Sequence, residues 1–421
     1  MASLKTILFS SMIGNIIEWY DVFIFSTGAE YIAKAFLPPK ITPTIALLDV
    51  FLVLALGFIT RPVGALIFGN FGDRLGRKRM LITTLSITGV SSGLVGLLPT
   101  YSQIGIIAIV LLSLLRIILG VGLGGEWGGG LLLVAENVFK KDSFYIAFFQ
   151  SGVSIGLVLG SLVFLGLNSV LPSTAMFDYG WRIAFILSFL LLMVGIFIRL
   201  KTNETYMFKQ IEKKGEIIRT PLSVLFKKFK KNVIMGILLG GGLAIYFIGS
   251  VSIPNLYEFD KIVASTEYFI GILTFGLTDI FFVFLGGYLS NSLLKNILFI
   301  IVGNLLGILI LYPAFLFKTP SLYILFEFLI GISHGVMYSP VALVLTRLFP
   351  TNVRYSGVSV VYQFAGAFIG GIEPYIIVYL SSINYLLYPV YQILLCIISI
   401  GIIVAIYKLN LLKYFEMEMR K

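Results

Sequence analysis

The sequence predicts an all-α integral membrane protein with twelve transmembrane helices in two six-helix halves. Three observations carry that expectation. Of 421 residues, 58% are hydrophobic and 12% charged, with a mean hydropathy of +1.00, whereas ordinary soluble chains are about a quarter charged. A soluble core could not absorb so much apolar side chain. The apolar residues also fall into runs of roughly 20, the length an α-helix needs to cross the hydrocarbon layer, and in lipid each backbone group must be satisfied within its own segment. Finally, Lys and Arg gather in short connections on one side, the asymmetry that marks a cytoplasmic face.

Taken in order, the expected spans are 7–33, 46–71, 79–98, 104–136, 144–169, 180–201, 232–256, 264–289, 295–316, 320–346, 355–381 and 384–408. With the N-terminus inside, Lys34, Lys40, Lys261 and Lys318 lie outside, and nearly all the rest of the 31 Lys and Arg lie inside or within spans. Both termini are therefore expected in the cytoplasm, with the protein in the cell membrane. The first span is not read as a cleavable leader, since Glu18 and Asp21 interrupt it and no small-residue cleavage site follows. The second and third are joined by Gly69-Asn-Phe-Gly72-Asp73-Arg74-Leu-Gly76-Arg77-Lys78-Arg79, a glycine-punctuated basic loop.

The segment 201–231 is the only long polar stretch. It divides the chain into an N-terminal half, residues 1–200, a cytoplasmic linker, 201–231, and a C-terminal half, 232–421. Its basic residues, from Lys209 to the cluster Lys227, Lys228, Lys230 and Lys231, suit either an amphipathic helix on the membrane surface or a solvated linker. A weak repeat, Gly286-Gly-Tyr-Leu289-Ser290-Asn291, echoes the Gly69–Asp73 stretch and supports the division into halves.

Several functions are excluded. The formal charge of +11 lies in interspan loops, so it is a topology signal and not a nucleic-acid surface. The one cysteine, Cys396, sits in an apolar run and rules out an intrachain disulfide or a cysteine metal site. No cofactor or metal is expected. An enzyme is disfavoured because there is no metal-ligand cluster, no nucleophile with a base, and a single histidine.

The basic loop resembles the G-x-x-x-D-R-x-G-R-[KR] signature between the second and third spans of the major facilitator superfamily. Within it, Gly14-Asn15-Ile-Ile-Glu18-Trp19-Tyr20-Asp21, Arg61-Pro62-Val-Gly64 and Arg116-Ile-Ile-Leu-Gly120-Val-Gly122-Leu-Gly124-Gly125-Glu126-Trp127-Gly128-Gly129 are similar to the metabolite:proton symporter family. So are Gly180-Trp181-Arg182, Glu204-Thr-Tyr-Met-Phe208 and Phe349-Pro350-Thr351-Asn-Val-Arg354-Tyr355-Ser-Gly357. The resemblance runs from residue 14 to beyond 370 and is weaker in the second half. It implies the major facilitator fold and proton-coupled uptake of a small polar metabolite by alternating access. The family's substrates are organic acids, shikimate and osmolytes such as proline and betaine. The rival readings are an uncoupled facilitator and a membrane sensor derived from a transporter. The expected partners are a small-molecule substrate, protons and the lipid bilayer, with the monomer as the working unit.

Ionisable residues inside spans cost several kcal/mol unless they meet a partner or water, so each needs a reason. Glu18 and Asp21 share a helix face, and two carboxylates so close resist carrying both charges at once, as a proton-coupling pair must. Arg116, a permanent cation with a planar fork, is expected to hold an anionic substrate or a span 1 carboxylate. The resemblance makes the carboxylate its default partner. Tyr20, Glu126 and His334 complete the expected substrate-binding set. Asp73, Arg74, Arg77 and Glu136 are the expected gating residues, with Lys140 beside them. Asp279, Glu327 and Glu373 are further second-half candidates. Two departures stand out: Asn291 where the second-half loop of the family carries Asp, and Arg347 where Glu is usual. Together they suggest one dismantled charge cluster, with Arg347 repelled by Lys295 or Arg354.

Overall fold

The computed structural model describes residues 3–138, 142–259, 261–384 and 386–412. Among them eleven helices are long and apolar enough to cross a membrane: Leu4–Thr27, Ile45–Leu75, Ile107–Ala135, Asp142–Val170, Ser173–Leu200, Lys230–Glu258, Thr266–Leu289, Leu293–Leu316, Pro320–Arg347, Thr351–Ser381 and Leu387–Lys408. One more helix, Arg77–Val95, lies third in chain order and packs between the fourth and sixth. Its composition is the most polar because it opens on Arg77-Lys78-Arg79 and carries many hydroxyls. Some of those hydroxyls are satisfied within the helix, as when Ser86 donates to Ile82 O and Thr88 to Thr84 O. It completes the set of twelve, numbered here as spans 1–12.

The first span is shorter than its apolar run suggests. Its helix ends at Thr27, and a separate short helix, Ala29–Phe36, follows the break at Gly28. A side chain at Gly28 would strike the ring of Phe164 on span 5, so a residue without one belongs at this bend. Elsewhere the expected boundaries lie within a few residues of the helices.

Spans 1–6 pack chiefly among themselves, as do spans 7–12. The two groups meet mainly where span 2 lies along span 11 and span 5 along span 8. Small residues set the closest approaches, since without a solvent-driven force between helices in lipid, packing must come from intimate contact. At the crossing of spans 2 and 4, a Cβ on Gly64 would lie 1.9 Å from the Val121 carbonyl oxygen, and one on Gly124 would lie 2.2 Å from that of Arg61. Backbone meets backbone there, and no side chain fits.

The turn from span 2 to span 3 is made at Gly76, whose φ of +102° favours glycine. The bared N-terminus of span 3 is capped from a distance: Lys78 N donates to Glu204 Oε2 at 3.1 Å. Its other end is closed by Arg182, which donates to the carbonyls of Gly96 and Leu98. Between spans 6 and 7 the chain forms two short helices, Tyr206–Lys213 and Pro221–Lys228. Met207, Phe208, Ile211 and Leu225 are buried, while Lys209, Lys213, Lys227 and Lys228 are exposed. The helices are amphipathic and tuck under the bundle at the face that bears the basic loop, called the basic face below.

Two spans lose regular geometry near mid-membrane. Span 7 tightens over Gly240–Ala244 and widens over Ile248–Ser252, and span 11 widens over Gly366–Gly370. Irregular turns of this kind are tolerated where they line a cavity, and they recur at functional sites.

Candidate transport cavity

A cavity lies between the two halves, at the irregular parts of spans 7 and 11. Its wall is mostly aromatic, with Trp19, Phe58, Tyr246, Phe247, Tyr338 and Tyr362, and its polar members are Arg61 and His334. Arg61 is fixed by its neighbours: Nη1 donates to Glu18 Oε1 at 2.8 Å, and its guanidinium carbon lies 4.0 Å from the Phe58 ring centroid. One turn along span 1, Asp21 receives both arms of Arg116, at 2.7 and 3.0 Å. All four residues are buried.

Span 1 carboxylates therefore do not share their charge with each other. Each has its own guanidinium, Glu18 from span 2 and Asp21 from span 4. Two full ion pairs can be buried side by side because each is neutral as a unit and its strongest hydrogen bonds are made inside it.

Of the four residues expected at the substrate, His334 alone lines the cavity. Arg116 is turned into the first half by its bidentate bond to Asp21. Tyr20 donates its hydroxyl to the Ala184 carbonyl of span 6 at 2.8 Å, which aims it away. Glu126 is held by Arg199 through both oxygens and by the Thr84 hydroxyl at 2.7 Å. That cluster ties together spans 3, 4 and 6, and it presses on Gly14 of span 1, where a Cβ would strike Arg199 and Glu126. In the second half, Asp279 sits behind His334, with Nδ1 of the ring 2.7 Å from its Oδ1. Glu327 and Glu373 are buried but do not line the cavity. Glu373 accepts the Ser252 hydroxyl at 2.6 Å.

At the basic face the halves close on one another. Asp73 accepts the backbone N–H groups of Tyr355 and Ser356 on span 11, at 3.1 and 2.9 Å. Arg77 grips Glu136 with two bonds of 3.1 Å each and donates across the seam to the Thr351 carbonyl at 2.9 Å. Glu136 also receives the Thr205 hydroxyl from the linker, at 2.6 Å. Asp73, Arg77 and Glu136 are thus one cluster. Arg74 points out of it and is exposed, and Lys140 lies outside the described residues.

The second-half counterpart differs from the expected repulsion. Ser290, not Asn291, makes the contact: its hydroxyl lies 2.8 Å from that of Ser143 on span 5. Asn291 and Lys295 are exposed. Arg347 is drawn to an acid, donating to Asp142 Oδ2 at 2.9 Å across the seam. Sequence spacing could not reveal a partner two hundred positions away.

Twelve spans in two groups, with a cavity at the seam between them and a closed cluster at one face, are the architecture of a membrane transporter. A family model described as Major Facilitator Superfamily matches residues 12–372, and the chain belongs to that superfamily, whose members are transporters and not enzymes. It is 32% identical to the inner membrane metabolite transport protein YhjE of Escherichia coli K12, over 91% of this chain and 89% of that protein. It is 30% identical to the shikimate transporter of the same strain, covering 92% and 91% of the two chains. The citrate-proton symporter of Klebsiella pneumoniae is 27% identical, covering 86% and 82%. Among solved structures, the proton:xylose symporter XylE of E. coli superposes with a TM-score of 0.76 at 16% identity, over 96% of this chain and 95% of that one, a likeness of fold.

Proposed function

We propose that the protein is a proton-coupled symporter that moves a small polar metabolite, an organic acid or a zwitterion, across the cell membrane by alternating access. The observation that carries this reading is the pair of buried carboxylate–guanidinium bonds, Glu18–Arg61 and Asp21–Arg116, the first with its guanidinium in the cavity wall. A substrate carboxylate that takes Arg61 from Glu18 strands a buried carboxylate, which is costly unless it is neutralised. Glu18 then takes a proton, so anion and proton enter together. Asp21 does the same toward Arg116: its protonation frees the fork that ties span 1 to span 4. The aromatic wall supplies apolar contact and stacking faces for the rest of the substrate.

Asp73, Arg77 and Glu136 serve in this scheme as the inner gate. The positive-inside rule puts the basic face, and with it both termini, in the cytoplasm. The monomer is the working unit in this scheme. The functions of two relatives, citrate-proton symport and shikimate transport, support the coupling and the substrate class.

The test uses Asp21→Asn in proteoliposomes with labelled shikimate and citrate as probes. Accumulation driven by a pH gradient is expected to fall at least tenfold, while exchange of internal for external probe persists, since exchange needs no proton release. Accumulation surviving in the variant would move the coupling site elsewhere. Wild-type transport indifferent to the gradient would favour a facilitator, and tight binding without turnover a sensor.

A further inference from the structure

The second half brings its own titratable group to the cavity. His334 is the one histidine in the chain, and it stands on span 10 with its ring between those of Tyr246 and Tyr338, centroids 4.6 and 4.4 Å away. Asp279 of span 8 holds Nδ1 at 2.7 Å. The other oxygen of Asp279 accepts the hydroxyl of Ser154 at 2.5 Å, and Ser154 belongs to span 5, across the seam between the halves. The Ser154 oxygen is also 3.1 Å from the Tyr246 hydroxyl. Histidine, aspartate and serine are each buried. With Nδ1 committed to Asp279, Nε2 is the ring nitrogen left to the cavity that the residue lines.

We propose that His334 and Asp279 form a second protonation site, separate from the span 1 carboxylates and read at the seam between the halves. The step balances simply: the Nε2 lone pair takes a proton from cavity water, the ring becomes an imidazolium bonded through Nδ1–H to the Asp279 carboxylate, and the pair passes from one net negative charge to none. Release reverses it. A carboxylate on one imidazole nitrogen fixes the tautomer and leaves the other nitrogen as the proton acceptor. Other groups near the ring do not compete for that role. Among the described residues, spans 5, 7 and 11 face it with the hydroxyls of Ser154, Tyr246 and Tyr362, the last reached through Tyr338 at 3.1 Å. Span 9 brings Asn304 against Met337. Arg61, in the cavity wall, is already paired with Glu18, and Glu327 lies two turns further along span 10. Ser154 donates to the same carboxylate from the opposite half, so loading the site weakens the charge that holds this cross-half bond. Proton binding is thereby linked to the movement of one half against the other, and each half carries a proton site of its own.

The single histidine makes the test direct. Protein labelled with nitrogen-15 only at histidine, in lipid nanodiscs, gives one imidazole whose two nitrogen resonances report tautomer and charge without any substrate. The expected result at alkaline pH is a neutral ring with its proton on Nδ1, and on acidification a second proton arrives on Nε2. In Asp279→Asn the fixed tautomer should be lost, because the carboxylate that holds Nδ1 is gone. Ser154→Ala should keep the tautomer. A ring that stays neutral throughout, a proton resident on Nε2 in the wild type, or an unchanged tautomer in Asp279→Asn would each overturn the proposal. Should Asp279→Asn fail to fold, the wild-type tautomer and titration still decide. Neither readout depends on transport, so failure here and failure of the span 1 coupling scheme are told apart.

Discussion

Replacing Arg116 by Ala is expected to abolish transport and to destabilise the protein by about 3–5 kcal/mol, because Asp21 would be left as a buried charge with no partner. Arg116 and Asp21 are both about 1% exposed and joined by two bonds, so water cannot take over. Lys at this position should recover part of the stability and little of the transport, since it lacks the fork that meets both carboxylate oxygens. The double change Asp21→Asn with Arg116→Gln removes both charges together and should restore most of the stability while leaving gradient-driven uptake absent. Denaturant unfolding in detergent measures the first quantity and proteoliposome uptake the second. Wild-type stability and rate in Arg116→Ala would show that the pair is ornamental to both.

At the basic face, Asp73→Asn and Arg347→Glu are each expected to favour opening of the halves toward that side. Asp73 supplies a charge to two backbone N–H groups of span 11, and charge-assisted bonds of this kind are about twice as strong as neutral ones. Asn retains one acceptor oxygen and no charge. Arg347 and Asp142 are 12% and 20% exposed, so their attraction is modest, but Arg347→Glu substitutes a like charge and turns attraction into repulsion. A combined swing of about 1.4 kcal/mol changes the population ratio tenfold. Distance measurements between labels on spans 5 and 10 would register it. The direction is opposite to the one the sequence suggests, in which Arg347→Glu with Asn291→Asp rebuilds a missing lock. Populations that move toward closure in Arg347→Glu would mean that the Asp142 contact does not hold the halves.

The helices and most of their ends could be read from composition, because length, apolarity and loop charge are local properties of the chain. So could the charge cluster at the basic face, since Asp73, Arg77 and Glu136 stand in a recognisable loop and at a span end. The pairing of charges could not. Arg61, one member of the Arg61-Pro62-Val-Gly64 motif in the sequence, is the guanidinium in the cavity wall. Glu126, read as a substrate ligand, is bound by Arg199, a residue whose position at the end of span 6 gives no hint of burial. Among 22 Tyr and 36 Phe, nothing in the sequence separates Tyr246, Tyr338 and Tyr362, which line the cavity, from Tyr257, whose hydroxyl is spent on the Ala314 carbonyl. Such choices are made by which helix faces which, and that is decided by glycine contacts such as Gly64 and Gly124 that only a packed bundle displays.

The closed seam also carries a built-in optical probe. Trp127 of span 4 lies flat against Tyr362 of span 11, ring centroids 3.5 Å apart and planes within 1°, so the two halves touch through a pair of stacked chromophores. The chain has only two other tryptophans, Trp19 in the cavity wall and Trp181 at the start of the helical part of span 6. With those two replaced by Phe, the remaining indole emission should shift to the red and gain exposure to aqueous quenchers whenever the basic face opens, and return when it closes. The rocking motion could then be timed in the unlabelled protein by stopped-flow fluorescence, one turnover at a time.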